Sequence, residues 1–166
     1  MCYNTLMKLK LNREFLFRHL FACAVFLALG GWFGYDAFVR YPSTPAQDLY
    51  LSIEGAGAPL KSQAELEAFK AQKVGMQRVF AFAGLLAGAA VGFLLLPVVR
   101  FSFSYDDEGF TCGGVNRPYG EITEIDTVDW EKKNILRLKG KDWKITLDAW
   151  HHQGVKEFFE KVQKRG

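Results

Sequence analysis

Hydrophobic and polar positions are sharply segregated along this chain. Two apolar runs are bracketed by arginines, Arg18 with Arg40 and Arg78 with Arg100, and each bracket encloses 21 residues. At about 1.5 Å per helical residue such a run reaches roughly 31 Å, the depth of a bilayer's hydrocarbon core. The pattern predicts membrane spans over 19–39 and 78–99. The second run, Val79 to Val99, carries no charge. The first holds His19 at its start and Asp36 near its end, within snorkelling or interfacial reach, and sets Trp32 and Tyr35 where an aromatic belt belongs. Its apolar centre, Leu20 to Leu29, also has the length of a signal peptide. No small-x-small cleavage site follows cleanly, and the apolar character continues through Phe33 and Phe38-Val39, which favours an uncleaved anchor.

Between the spans, Pro42, Pro45, Gly55, Gly57 and Pro59 mark residues 41–61 as irregular. Ser62-Gln63-Ala64-Glu65 then reads as a capping box, so the second helix is expected from about residue 63, projecting about two to four turns beyond the membrane. Pro97 falls near its end, where few turns remain to be disrupted. Gly84, Gly88 and Gly92 recur every fourth residue and share one helix face; Gly30 and Gly34 repeat this on the first helix. Glycine lets backbones approach closely, the means by which helices associate in lipid. The face fits either the first helix or another copy of the chain.

After Arg100 the period changes. Phe101, Phe103 and Tyr105 alternate with Ser102 and Ser104, Asp106 to Gly109 is a turn, and Phe110 to Cys112 returns as a second strand. Gly113-Gly114 begins a loop containing Pro118. Ile122 to Trp130 breaks strict alternation, which predicts a bulge or turn there. Ile135–Lys139 and the alternating Trp143, Ile145 and Leu147 form a further strand pair. Val155, Phe158, Phe159 and Val162 stand at i, i+3, i+4 and i+7, the stripe of an amphipathic helix. Asp148 is its candidate N-cap, and Glu157/Lys161 and Glu160/Lys164 its supporting pairs.

A meander of short antiparallel strands closed by one amphipathic C-terminal helix resembles the bacterial pleckstrin-homology-like (PH-like) domains. The likeness rests on Tyr105-Asp106-Asp107-Glu108-Gly109-Phe110, Tyr119-Gly120-Glu121-Ile122 with Ile125, Trp130 to Leu136, and Ile145 to Trp150. It covers residues 101–166 and is structural rather than catalytic. Two membrane helices ahead of such a domain also look like the small membrane-anchored members of that group. The resemblance implies a membrane α-helical hairpin joined to a small α+β domain. A full domain of this type has seven strands, so this one is either trimmed or borrows a strand or a surface from elsewhere. The expected order is a cytoplasmic tail (1–18), the first span, an extracytoplasmic loop (40–77), the second span, and the PH-like domain (100–166).

Charge refines this picture. Residues 101–166 hold 11 of the 21 Lys+Arg and 12 of the 18 Asp+Glu, so the folded part is near neutral and the positive excess lies before it. A nucleic-acid binder carries the opposite distribution. Lys8, Lys10, Arg13 and Arg18 precede the first span and only Arg40 opens the loop, which predicts both termini in the cytoplasm; with the resemblance, this implies a bacterial inner membrane. Lys61, Lys70, Lys73 and Arg78 before the second span pull the other way, and the first helix is taken to dominate. Cys2, Cys23 and Cys112 are odd in number and widely spaced, against a disulfide framework. Cys2 does not fit a lipoprotein, whose cysteine follows a cleaved signal segment.

Candidate chemistry is sparse. His151 and His152 are adjacent, lack the i, i+4 spacing of chelating pairs, and are expected on different sides of a helix start. No nucleophile elbow, phosphate loop or H-E-x-x-H occurs, and neither a cofactor nor catalysis is expected. The best binding candidate is the basic run Lys132, Lys133, Arg137, Lys139, Lys141 and Lys144, in which Leu136 and Leu138 take one strand face and Arg137 and Lys139 the other. Facing anionic lipid, each such cation contributes about 1 kcal/mol. Glu131 and Asp142 dilute the patch. The leading expectation is a non-enzymatic, membrane-anchored module that binds a protein partner or further copies of itself. The alternative is a sensor of anionic lipid or a small ligand.

Overall fold

The computed structural model describes residues 6–164; Cys2 lies outside them. Contacts divide the chain into two units. One is His19–Phe93, and the other joins the tail up to Arg18 to the chain from Leu94 onward.

The first unit is helical. It holds most of α1 (Arg13–Tyr35), a π-helix at Asp36–Arg40, the single turn α2 (Tyr41–Ser43), α3 (Ala46–Glu54) and most of α4 (Gln63–Arg100). The segments Arg13–Ser43 and Gln63–Arg100 are both long and apolar enough to cross a membrane, and only 11% and 17% of their most apolar windows are buried. The capping box forms at the start of α4: Glu65 Oε2 accepts from the Ser62 amide at 2.8 Å, and Ser62 Oγ from the Glu65 amide at 3.4 Å. The Ser62 hydroxyl, donating to Glu65 Oε2 at 2.7 Å, and then the Ser62 amide hold the Glu65 carboxyl below the usual range. The stretch 41–61, expected to be irregular, contains α3. Its prolines and glycines bound this helix instead of breaking it, because Pro45 sits at its N-cap and Gly55 at its C-cap. Ala46 and Tyr50 bury against Leu66, with the Tyr50 and Phe69 rings edge to face at 5.2 Å. Lys70 ties the preceding turn down by donating to the carbonyls of Pro42 and Thr44.

The second unit is an α+β domain. Its strands are β1 (Met7–Lys8), β2 (Lys10–Leu11), β3 (Phe103–Tyr105), β4 (Gly109–Cys112), β5 (Val115–Pro118), β6 (Glu124–Asp126), β7 (Ile135–Lys139), β8 (Lys144–Asp148) and β9 (His152–Gln153). A short helix α5 (Trp130–Lys133) precedes β7, and α6 (Val155–Gln163) follows β9. The strands form antiparallel sheets in the orders β1-β3-β4-β5, β2-β9 and β6-β7-β8, with no closed barrel.

The alternating apolar residues meet in one core. Leu136 pairs with Leu147 and Leu138 with Ile145 across β7 and β8, and all four are buried with Phe103, Tyr105 and Phe110. Against them lies the predicted stripe of α6, in which Val155, Phe158, Phe159 and Val162 are all buried.

Several expectations are corrected here. The tail is not a separate segment. Met7 pairs with Tyr105 and Lys8 with Ser104, Lys10 pairs with Gln153 and Leu11 with His152, and Leu9 packs against the core. Two strands from the N-terminal end of the chain thus extend the sheets formed by residues after Arg100. Gly113-Gly114 is a two-residue hairpin turn rather than the start of a loop, with both glycines at positive φ as such turns require. Pro118 then ends a strand at the sheet's edge, where proline costs no ladder bond. Asp148 does not cap α6, whose N-cap is Gly154; its Oδ1 accepts from the Trp150 amide and closes a turn. His152 is a strand residue, not a helix start. Lys161 reaches Asp107 at 2.8 Å rather than Glu157, because the Asp106–Gly109 turn comes within its reach.

Candidate interaction surfaces

The predicted glycine face packs within the chain. A methyl added at Gly84 would lie 2.9 Å from the Gly30 Cα and N, and one at Gly30 would lie 2.8 Å from the Leu85 amide nitrogen. These are backbone-to-backbone approaches that no side-chain rotation relieves. At Gly88 the neighbour is the Leu27 side chain at 2.7 Å, while Gly92 and Gly34 have ordinary clearance, 3.8 Å from Cys23 Sγ and 3.9 Å from Ala81 Cβ. The tight centre of the face is therefore Gly30 with Gly84. The Phe33 and Phe80 rings at 5.4 Å and a Cys23 Sγ bond to the Gly88 carbonyl flank it. Gly84→Ala should cost about 1–3 kcal/mol by overpacking, whereas Gly31→Ala, with nothing within 4 Å, should be neutral. Thermal unfolding in mild detergent measures this, and equal midpoints for the two variants would make the glycine register incidental.

The basic run is brought together on α5, β7 and the β7–β8 turn, with the predicted alternation: Leu136 and Leu138 are inside, Arg137 and Lys139 outside. Half of it is neutralised. Arg137 Nη2 lies 2.5 Å from Asp129 Oδ2 and its Nη1 lies 3.6 Å from Asp126; Lys133 reaches Asp129 at 3.1 Å and Lys139 reaches Glu124 at 2.6 Å. Hydrogen bonds from Arg137 and then Lys133 hold the Asp129 carboxyl below the usual carboxylate range. Lys132, Lys141 and Lys144 remain exposed without an ion pair among the described residues. Asp126, Asp129 and Glu124 precede the basic run in sequence. Only the β6–β7 pairing, Glu124 with Lys139 and Asp126 with Arg137, turns them into its counterions.

A groove that sequence reasoning missed opens beside β6. It has a volume of 480 Å³ and is lined by Tyr119, Gly120, Ile122, Thr123, Glu124, Ile125 and Val162. β5 ends one sheet and β6 ends another, and a 3₁₀ turn (Tyr119–Glu121) joins them in place of a ladder. The floor is apolar because Ile122 and Ile125 pack against the same core as Val162. Their irregular spacing was the one trace in the sequence. A methyl at Gly120 would touch nothing within 4 Å, so the groove's mouth is unobstructed there.

A smaller groove of 270 Å³ is lined by Pro97, Val98, Phe101, Thr146, Asp148, His151 and His152. The two histidine rings stand 6.3 Å apart and perpendicular. His151 Nδ1 is 3.5 Å from Asp148, while His152 is buried. Among the described residues no group of three His, Cys, Asp or Glu is placed to hold a metal ion. Burial pushes the Cys112 thiol up, which suppresses the reactive thiolate.

These features define an α+β protein that carries two long apolar helices and antiparallel sheets. No protein-family model, no curated protein and no solved structure matches the chain.

Proposed function

We propose that this protein is a membrane-anchored, non-enzymatic interaction module of PH-like type, which docks a polypeptide in the groove beside β6. The observation that carries this reading is the gap between the β5 and β6 sheet edges, apolar at its floor and open at Gly120. An unpaired strand edge is a template for another strand, with main-chain bonds giving affinity and side-chain pockets giving selectivity.

The neutralised basic face supports a protein partner over an anionic-lipid sensor, since three of its six cations already hold carboxylates. The low burial of both apolar helices supports membrane insertion, because a soluble protein buries such surfaces. The tail pairs with strands that follow α4, which requires both chain ends on one side of the bilayer, as an even number of spans provides. With the basic tail, this supports both termini at the cytoplasmic face of a bacterial inner membrane.

A photo-crosslinking amino acid at Thr123, in the groove, tests the reading in native membranes against one at the exposed Val128. Thr123 should yield a discrete polypeptide adduct, and Gly120→Trp, which fills the groove, should reduce it at least tenfold. A second copy of the chain or a different protein in the adduct would each support the module. Lipid adducts alone, or a polypeptide adduct indifferent to Gly120→Trp, would overturn it.

A further inference from the structure

We propose that His152 is a proton-operated latch, whose charging releases the N-terminal strands β1 and β2 from the domain. Four observations converge on this side chain. It is 6% exposed. One imidazole N–H donates to the carbonyl of Val98, one of the terminal carbonyls of α4 that have no partner within the helix. Nε2 is buried with no hydrogen-bond partner, so Nδ1 is the donor and the latched ring is the neutral tautomer. The ring also lies 4.9 Å from Phe101, against a surface shared with Pro97 and Val98.

A second proton would go to Nε2. It would place an N–H without an acceptor and a positive charge among apolar groups, both costly when buried. The charged and titratable residues on the packed elements are Asp148 on β8, His151 in the preceding turn, Lys10 and Arg13 either side of Leu11 on the tail, and Arg100 at the end of α4. Asp148 favours the charged ring and His151 opposes it, but burial outweighs both and holds the imidazole below its ordinary range. Strain at His152 is relieved most cheaply through β9. That strand has two residues and, among the described residues, pairs only with β2, through Leu11–His152 and Lys10–Gln153. The rest of the clasp is the two-residue β1–β3 pairing, the Leu9 amide on the Phe103 carbonyl, and the Asn12 backbone and side-chain amides on the His151 and Trp150 carbonyls, the last two next to β9.

The sign follows from linkage. Above the ordinary histidine value of about 6.5 the ring is neutral whether the tail is latched or released, and pH has no effect. Below it the released state takes up a proton that the latched state refuses, until the pH reaches the lower latched value. Within that window the latched population falls by up to about tenfold per pH unit.

Hydrogen exchange of the full-length protein in detergent tests the latch at pH 7.5 and 5.5, with protection factors corrected for intrinsic exchange. Protection of amides 9–12 should fall up to about tenfold at the lower pH, while those of α6 stay protected. His152→Gln keeps an N–H donor for Val98 and does not titrate, so its tail should show equal protection at both pH values. His151→Gln, which leaves His152 in place, should retain the wild-type response. A wild-type tail indifferent to pH, a His152→Gln tail that still responds, or loss of the response in His151→Gln would each overturn the proposal.

Discussion

Residues 101–166 expressed alone will show no cooperative thermal transition, and restoring residues 6–12 through a flexible Gly/Ser linker will bring one back. The segment looks self-sufficient, since it contains most of the core and the helix that closes it. Yet it lacks β1, which pairs with β3, and β2, which is the partner of β9. It also lacks Leu9, which packs on the core, and Phe15, a buried ring 4.6 Å from His151 and 6.3 Å from Trp150. A domain of this size buries only about 60% of its unfolded surface and is marginal when whole. In the intact protein, deleting residues 6–12 should remove about 2–4 kcal/mol, from lost burial of Leu9 and the unpaired β3 and β9 backbones. At about 4–8 °C per kcal/mol this lowers the midpoint by roughly 10–30 °C. Circular dichroism melts in one detergent decide the matter. An isolated 101–166 that melts cooperatively at the temperature of the tail-restored form would mean that the tail strands rest on a finished domain.

Phe158→Ala should be the most damaging single substitution in the domain. Phe158 is fully buried, and its ring stands 4.9 Å from Phe103, 5.0 Å from Tyr105, 6.1 Å from Phe110 and 6.4 Å from Tyr119. It is the one member of α6 that touches aromatic side chains from β3, β4 and the turn after β5. Truncation leaves a cavity walled by rigid rings that collapse poorly, so about 3–5 kcal/mol should be lost. For a domain this small that is most of its stability. Phe159→Ala, which removes a ring 4.7 Å from Trp130, should cost less because Phe159 lies nearer the surface. Equal midpoints for the two variants would place the centre of the core elsewhere.

Much of this architecture is local and could be read one residue at a time. The arginine brackets, the capping box at Ser62, the Ile135–Lys139 strand and the α6 stripe each depend on near neighbours and on periods of 2 or 3.6 residues. The glycine register marked a packing face from spacing alone. What lay against it did not follow, because a close approach needs two surfaces and the sequence shows one at a time; the partner is Gly30. The basic run was legible as charge, but its neutralisation was not. Asp126 and Asp129 became counterions of Arg137 only when β6 paired with β7.

Hydrophobic periodicity and charge placement determined by themselves that two apolar helices precede a small strand-rich domain closed by an amphipathic helix. Only the tertiary structure decided that Met7–Leu11, a short tail in which apolar residues alternate with lysines, joins that domain from the far end of the chain. Their alternation is strand-like, but backbone hydrogen bonds are blind to side-chain identity, so nothing in residues 7–11 announces partners 96 to 143 positions away. The burial of His152 arose in the same way. An imidazole flanked by His151 and Gln153 reads as surface until Leu11, Phe101 and the end of α4 close around it.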